Sequence, residues 1–321
     1  MTGSSPTTAG AVPTPMLGPE TRHIACSACG ADRFVPQSRV DGWTIGRCSV
    51  CGLVYVNPTA FFAPTDEFSD ISRAFEYTEY MHAPVTSGIL AFERRQLQDN
   101  AAVVAELGGR RHEADRPLRF LDIGCGSGAA VRAACDLGWS ALGVDIDPQL
   151  IREGQEQLHV DLRCVPVIES NLPTRSFDFV KLRDVIEHLP NPLEVLSFVA
   201  DLLAPGGVAL VITPNEGGLA TQVRLALHRP RRLVATVPPP HHLHSFDPST
   251  LERLLRRARL APTQTFTTRP TDWRYVTSHN LERAQAVPLM RPVWVIGHAA
   301  GKGAVLVNWA RRQADGRDGG D

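Results

Sequence analysis

Four cysteines near the start of the chain have the spacing of ligands to one metal ion. They form two Cys-x-x-Cys pairs separated by eighteen residues, Cys26 with Cys29 and Cys48 with Cys51. A two-residue gap lets both thiolates of a pair face one ion, and Gly30 and Gly52 allow the turn that follows each pair. Four soft thiolates suit zinc and fill its coordination sphere. The pattern predicts a structural Zn2+ site, with an iron–sulfur cluster or a redox dithiol as alternatives.

A second group of residues has the pattern of a nucleoside-binding loop. Gly124, Gly126 and Gly128 alternate between a predicted strand and a predicted helix, and Asp122 precedes them. Asp145 ends the next strand, where a carboxylate can accept hydrogen bonds from the hydroxyls of a ribose. Dinucleotide sites instead have the spacing G-x-G-x-x-G and bind a pyrophosphate. S-adenosylmethionine carries an ammonium and a sulfonium and no phosphate, so the acid before the loop favours it over NAD.

These motifs lie on alternating strands and helices. Such alternation predicts a doubly wound α/β fold with a mostly parallel sheet, whose ligands bind at the carboxyl ends of the strands. We expect strands near 119–123, 141–145, 162–168, 177–182, 208–213, 263–267 and 303–309, and helices that include 92–107 and 248–260.

Five segments in this order resemble the motifs of the class I S-adenosylmethionine-dependent methyltransferases. They are 121–128 (LDIGCGSG), 143–148 (GVDIDP), 176–180 (SFDFV), 184–189 (DVIEHL) and 203–207 (LAPGG). The resemblance covers about residues 85 to 310, and four-cysteine modules recur ahead of such domains in a subgroup of the family. It implies a Rossmann-like sheet of seven strands behind a small zinc-ribbon-like module.

The resemblance also implies roles in cofactor binding. The backbone of residues 124–128 would hold the methionine part, Asp122 its ammonium, Asp145 the ribose, and Ile146 would lie against the adenine. The family often has an acid after the third strand, but this chain has Ile168 there with Glu169 adjacent, so the adenine contact departs from the pattern. The predicted cofactor-binding residues are Asp122, Gly124, Cys125, Gly126, Gly128, Asp145, Ile146 and Glu169.

Methyl transfer is an in-line displacement that depends on orientation, and a hydroxyl acceptor also needs to lose its proton. The candidate catalytic residues are His188, which follows Glu187 beyond the fourth strand, and His242 in the segment 241–244 (HHLH). Three histidines could indicate a metal, and Asp184, Glu187 and His188 resemble a metal-binding pattern of some ubiquinone-pathway O-methyltransferases. Structural histidines are commoner, however, so we expect no catalytic metal.

The sequence divides into several expected regions: a disordered leader over 1–22, a zinc-ribbon-like module over 23–60, a helical linker or lid over 61–110, a methyltransferase domain over 111–312 with a lid insert at about 216–247, and a disordered tail over 313–321. Long insertions at strand ends often form lids. The basic residues of the insert indicate either a solvated face or a cap for an anionic substrate; they are Arg224, His228, Arg229, Arg231 and Arg232. Tyr77 and Tyr80 lie in the linker and could close over a ligand or simply pack.

Composition limits the function further. The net charge of −1 lacks the basic surplus of a nucleic-acid binder, and no apolar run reaches transmembrane length. With no secretory signal and paired cysteines, we expect a cytoplasmic protein. The predicted function is methyl transfer to a small molecule, most simply a hydroxyl of a secondary metabolite, quinone or sugar. Alternatives are a sugar C-methyltransferase, an RNA or protein methyltransferase, a cofactor-binding scaffold and an NAD-dependent reductase. The oligomeric state and the acceptor are not set by the sequence.

Overall fold

The computed structural model describes residues 20–61, 84–108, 116–227, 239–277 and 288–313. Its strands are β1 Glu20–Arg22, β2 Phe34–Val40, β3 Trp43–Cys48, β4 Val54–Val56, β5 Thr59–Phe61, β6 Arg119–Ile123, β7 Ser140–Asp145, β8 Leu162–Cys164, β9 Phe177–Arg183, β10 Leu203–Pro214, β11 His244–Ser245, β12 Leu260–Thr268 and β13 Val305–Arg312. Its helices are α1 Ser87–Gly108, α2 Ala129–Asp136, α3 Pro148–Leu158, α4 Pro192–Leu202, α5 Leu219–Leu227, α6 Pro248–Arg257 and α7 Arg291–Ala299.

A seven-stranded sheet forms the centre of the molecule, in the order β12-β13-β10-β9-β6-β7-β8. The strands from β10 to β8 pair in parallel, and β13 runs antiparallel to both β10 and β12. The predicted doubly wound, mostly parallel sheet is therefore confirmed. The third strand was expected to reach residue 168 but ends at Cys164, and a 3-10 turn over Val167–Glu169 replaces its end. Pro166 explains the difference, because it has no N–H to donate to a neighbouring strand.

Helices cover both faces of this sheet and bury an apolar core on each. On one face, Phe120, Phe179 and Trp309 are fully buried. The ring centroid of Phe179 lies 5.1 Å from that of Phe120 and 5.8 Å from that of Trp309. Helix α1 packs on this face through Leu97 and Val104. On the other face, α4 and α6 pack on the sheet, and the same continuous core includes residues of the N-terminal module. Among the described helices, none has the length and apolar character needed to cross a membrane.

The N-terminal module contains two small sheets. Strand β1 pairs with β5, and β2, β3 and β4 form a meander that β11 extends. The leader was expected to run to residue 22, but Glu20–Arg22 form β1, because Thr59–Phe61 offer it an antiparallel partner. The module therefore begins before residue 23 and includes Phe61. Residues 62–83, with Tyr77 and Tyr80, lie outside the described residues, so the expected linker is seen only from residue 84 onward.

Strand β11 ties the N-terminal module to the C-terminal part of the chain. His244 pairs with Tyr55 of β4, and the His244 ring stacks between Tyr55 and Phe246 with centroids 6.1 Å and 5.7 Å away. Arg257 at the end of α6 donates to the backbone carbonyls of Cys26 and Ser27. The segment 216–247, which was expected to form a lid, is thus held at its C-terminal end by the pairing of β11 with β4. Its middle, residues 228–238, lies outside the described residues together with His228, Arg229, Arg231 and Arg232.

One ion-pair cluster fastens the start of β6 to β9. Asp178 accepts from the guanidiniums of Arg116 and Arg119 at 2.7–3.2 Å and from the backbone N–H of Arg119. Its side chain is only 15% exposed. Burial raises the pKa of this carboxyl, but the hydrogen bonds from both arginines outweigh it and leave the pKa well below its ordinary value.

We predict that Asp178→Asn lowers the free energy of unfolding at pH 7 by about 2 kcal/mol, because charge-assisted hydrogen bonds are lost. Because the pKa of Asp178 is lower in the folded than in the unfolded state, its ionised form stabilises the folded state at pH values above the unfolded pKa of about 3.9. That stabilisation is lost as the pH falls below this value. The difference between variant and wild type in urea unfolding should therefore shrink below about pH 4. The control Asp136→Asn removes an exposed pair with Arg132 and should cost less than about 0.5 kcal/mol. A difference that stays constant down to pH 3 would contradict this assignment.

Candidate functional site

The glycine-rich loop lies at the carboxyl end of β6, between that strand and α2. Gly124 has φ +71°, and its N–H and that of Cys125 both donate to the carbonyl of Val144 on the neighbouring strand. A Cβ at Gly124 would lie 2.3 Å from Cγ2 of Val185. The loop after β9 therefore approaches so closely that only glycine fits. At Gly124 the loop therefore presents its backbone, and no side chain, to the space between the ends of β6 and β7.

Asp145, at the end of β7, is held beside this loop. Its carboxylate accepts from the N–H of Gly126 at 2.8 Å and from that of Asp147 at 3.0 Å. Asp147 in turn caps α3 by accepting from Gln149 and Leu150. Burial raises the pKa of Asp145, and the two backbone donors oppose that effect. Each oxygen retains a lone pair, so the carboxylate can also accept hydrogen bonds from the two hydroxyls of a ribose.

The remaining predicted cofactor residues do not all converge on this point. Gly128, with φ +81°, is the N-cap of α2. The Cys125 thiol packs into the cluster of Val131, Ile151 and Leu162, so only its backbone faces the loop. Ile146 directly follows Asp145, whereas Glu169 is exposed in the 3-10 turn after β8. The structure therefore brings residues 122–128 and 145–146 together and leaves Glu169 exposed after β8.

Asp122 lies in a buried cluster of four charged groups. Its Oδ1 is 3.3 Å from Nζ of Lys181, which is also 3.8 Å from Glu93 on α1. Arg183 pairs with Glu93 at 2.6 Å and donates to Gln96 at 2.7 Å. Burial raises the pKa of Asp122 to about 6 despite Lys181, while Arg183 and Lys181 hold the pKa of Glu93 below its ordinary value against the effect of burial. Two acids thus face two bases beneath the loop.

Sequence reasoning missed Lys181, Arg183 and Glu93. A central parallel strand is buried on both faces and reads as a continuous apolar run, whereas β9 carries two cations two residues apart, on one face. These two cations in an otherwise apolar strand were the feature of the sequence that could have indicated a buried charge cluster. Asp122 was expected to contact the ammonium of a cofactor, and one of its oxygens already has Lys181 as a partner, which sequence spacing could not reveal.

Beyond the end of β9, three histidines come together. The ring centroid of His188 is 4.5 Å from that of His241 and 4.7 Å from that of His242. Nδ1 of His188 lies 2.7 Å from the backbone carbonyl oxygen of His241. Burial lowers the pKa of His188, and His241 lowers it further; burial alone lowers the pKa of His241 to about 4. These rings are therefore neutral near pH 7. Both predicted catalytic residues, His188 and His242, belong to this cluster, and His241 joins them.

Glu187 lies behind the histidines. It is 2% exposed, and its Oε2 accepts from the Thr213 hydroxyl at 2.9 Å. Its backbone carbonyl accepts from both Leu243 and His244. Burial raises the pKa of Glu187 well above its ordinary value, and nearby Asp184 raises it further. Asp184 has φ +54°, which is uncommon for a residue other than glycine and typical of functional sites.

The four cysteines form a separate site in the N-terminal module. Their sulfur atoms all lie within 4.8 Å of one another, with Cys26 3.5 Å from Cys51 and Cys29 3.6 Å from Cys48. Zinc–sulfur bonds of 2.3 Å in a tetrahedron require sulfurs about 3.8 Å apart. The cluster therefore has the size of a four-thiolate site. Burial opposes ionisation of Cys48, but the N–H groups of Cys51 and Val50 lower its pKa to about 7.

Comparison with known proteins identifies the family of the part of the chain that carries this site. A family model described as "Methyltransferase domain" matches residues 91–265, more than half of the chain. The chain belongs to this family. The match covers β6 to β9, the glycine-rich loop, Asp145 and the three histidines, so the family assignment rests on the elements that form the site.

Known relatives share part of this length. The ubiquinone biosynthesis O-methyltransferase of Xanthomonas campestris pv. campestris (strain B100) is 32% identical over 151 residues, which are 44% of this chain and 62% of that protein. The protein of the same name from Rhodopseudomonas palustris (strain TIE-1) is 28% identical over 240 residues, 71% of this chain and 84% of that protein. A solved structure, a putative sarcosine dimethylglycine methyltransferase from Galdieria sulphuraria, has a TM-score of 0.46 and 20% identity over 68% of this chain and 85% of that chain. The chain thus spans less than two thirds of the first relative.

We predict that Lys181→Met lowers the free energy of unfolding by about 3–5 kcal/mol, because it leaves the buried Asp122 carboxylate without its cation. Adding Asp122→Asn in the same chain should recover part of this loss, since Glu93 keeps Arg183. Urea unfolding at pH 7 measures both. Lys302→Met, at an exposed lysine, serves as the control and should stay within about 0.5 kcal/mol of wild type. A loss below about 1 kcal/mol in the single variant would contradict the proposed charge balance.

Proposed function

We propose that this protein transfers the methyl group of S-adenosylmethionine to a hydroxyl of a small molecule. The observation that carries the proposal is the Asp145 carboxylate, fixed by two backbone donors beside the glycine-rich loop inside the matched methyltransferase domain. That carboxylate would bind the ribose hydroxyls. The backbone of residues 124–128 would hold the methionine part, and Ile146 would line the adenine side. Glu169 would contact the adenine only from the rim.

Binding of S-adenosylmethionine supplies an activated methyl group on a sulfonium. This chain's residues have to orient it toward the acceptor and keep water out, because the leaving group is already good. The charge cluster of Asp122, Lys181, Glu93 and Arg183 is balanced, so it offers no excess positive charge to repel the cofactor's ammonium. We propose that the ammonium interacts with the Asp122 oxygen that does not face Lys181, directly or through water.

The acceptor proposal rests on the relatives and on the histidine cluster. The curated relatives are O-methyltransferases of ubiquinone biosynthesis, which favours a quinol- or phenol-type hydroxyl. His188 and His242, at the carboxyl end of β9 where ligands of such sheets bind, would face that hydroxyl. A carbon, nitrogen or macromolecular acceptor has no comparable support from the described residues.

The first test is isothermal titration with S-adenosylhomocysteine. Asp145→Ala should weaken binding about 100-fold, because two charge-assisted hydrogen bonds to the ribose are lost. Asp161→Ala changes an exposed acid at the start of β8, away from the carboxyl end of β7 where Asp145 lies, and should leave binding unchanged. Circular dichroism of each variant establishes that it is folded. Folded wild type that binds no S-adenosylhomocysteine would refute the proposal. If binding holds, incubation with S-adenosylmethionine and catechol-type acceptors should give an O-methyl product, and a C-methyl or N-methyl product would contradict the acceptor class.

We further propose that the four cysteines bind one structural zinc ion. The sulfur spacing supports it, as do the turns after each pair, in which Gly30 and Gly52 donate to the carbonyls of Cys26 and Cys48. Four thiolates leave no open position for a substrate, so the ion would stabilise the module and its junction with β11.

Metal analysis of purified protein tests this assignment. Wild type should contain about one zinc per chain, and Cys48→Ser should lose it, because three ligands bind zinc far more weakly than four. Cys164→Ser, at an exposed cysteine outside the four-cysteine cluster, should retain the metal. Cys48 ends β3, and β3 and β11 belong to one four-stranded sheet that joins the module to the rest of the chain. Loss of the metal should therefore weaken this sheet, so Cys48→Ser should also lower the melting temperature. Zinc retained in Cys48→Ser, or iron in wild type, would overturn the assignment.

A further inference from the structure

A layer of charged side chains begins where the aromatic core of the sheet ends. Phe120 and Asp122 lie on one face of β6, and Phe179 and Lys181 lie on the same face of β9. Asp122 and Lys181 are direct neighbours in the register of these strands, and Nζ of Lys181 lies 5.9 Å from the centroid of the Phe120 ring. One step toward the carboxyl end of the sheet thus replaces rings by charges. Since ligands of such sheets bind at that end, the charged layer forms the floor beneath the glycine-rich loop.

Glu93 reaches this layer from α1 and shares both of its cations. Its Oε1 accepts from Arg183 at 2.6 Å, and its Oε2 lies 3.8 Å from Nζ of Lys181. The same Nζ is 3.3 Å from Oδ1 of Asp122. Oε2 of Glu93 is buried and has no hydrogen-bond donor among the described residues. The layer therefore holds two acids and two bases, and its acidic side retains capacity to accept hydrogen bonds.

Gln96 fixes Arg183 on the α1 side of the layer. It lies three residues after Glu93, on the same face of the helix. Its Oε1 accepts from Arg183 at 2.7 Å, and its amide donates to the backbone carbonyls of Trp273 and Val276. The charge of Arg183 is thus satisfied by α1, and Lys181 is the cation that Glu93 and Asp122 share.

The charge of Glu93 sets the electrostatic balance at Asp122. Burial raises the pKa of Asp122 to about 6, so this carboxyl is ionised at pH 8. With Glu93 also ionised, an ammonium placed at Asp122 meets no net positive charge. Without the charge of Glu93, Lys181 would pair with Asp122 alone, and the layer would carry one excess positive charge. Such an imbalance acts strongly in a buried site, because water and salt screen it little.

We propose that Glu93 is a positioning residue for the cofactor. By sharing Lys181, it keeps the Asp122 carboxylate available to the ammonium of S-adenosylmethionine, and it thereby makes binding selective for ligands that carry this ammonium. The proposal rests on the proposed function, because it takes S-adenosylmethionine as the ligand. Glu93 acts through Lys181 and does not have to touch the cofactor. It lies ahead of all five motifs in the chain, which is why their spacing did not indicate it.

The test compares two ligands on full-length protein at pH 8. One is S-adenosylhomocysteine, and the other is its deaminated analogue, in which hydrogen replaces the amino group while the carboxylate, ribose and adenine remain. In isothermal titration, wild type should bind the aminated ligand at least about tenfold more tightly. Glu93→Gln has nearly the same shape and no charge, so it should reduce this ratio to about threefold or less, mainly by weakening S-adenosylhomocysteine.

Three further variants separate charge from structure. Glu93→Asp keeps the charge and should keep most of the wild-type ratio. Lys181→Gln changes the balance in the opposite direction and should raise the ratio above that of wild type, which tests the proposal independently of Glu93→Gln. Glu106→Gln, at an exposed glutamate further along α1, is the matched control and should leave both affinities unchanged. Circular dichroism establishes that each variant is folded.

Each outcome decides a separate point. Equal binding of the two ligands by wild type, or an unchanged ratio in folded Glu93→Gln, overturns the role of Glu93 and leaves the proposed function standing. Weakening of both ligands by the same factor in Glu93→Gln also overturns it, because a purely structural role predicts that result. Wild type that binds neither ligand refutes the proposed function and this inference with it.

Discussion

The carbonyl oxygen of Glu187 accepts hydrogen bonds from two successive backbone N–H groups, those of Leu243 and His244, and the organisation of the site depends on this contact. It joins the end of a central strand to a segment that is remote in sequence. The same segment then pairs with β4. This backbone junction therefore links the histidines and the buried glutamate to the N-terminal module, which Arg257 also ties to α6.

A second constraint lies on β9 itself, below the glycine-rich loop. Lys181 and Arg183 on β9 face Asp122 and Glu93, and α1 covers all four groups. Buried charges persist only when paired, because the cost of desolvation exceeds what an unpaired ion can recover. The cluster consequently links the helix before the domain to the strands that carry the cofactor loop, so α1 is part of the site as well as a cover for the core.

Much of this was predictable from local pattern. The strand and helix alternation gave the sheet, and regular spacing gave the glycine-rich loop, Asp145 and the four cysteines, because each depends on neighbouring residues. The pairing of β11 with β4, the contact of His241 with His188 and the Lys181 cluster were not predictable, since they depend on contacts between residues far apart in sequence. The predicted end of β8 was wrong, because Pro166 ends the strand although the residues around it are apolar.

The N-terminal module has its fourth strand encoded roughly 190 residues after its third. During synthesis at about 5–20 residues per second, β4 is made about 10–40 seconds before His244–Ser245 follow. For that interval the nascent meander has an open strand edge, which can pair with another chain. The four-cysteine cluster at the end of β3 is local and can close early. The order of translation thus separates the assembly of this small sheet into an early local stage and a late one that waits for the catalytic half.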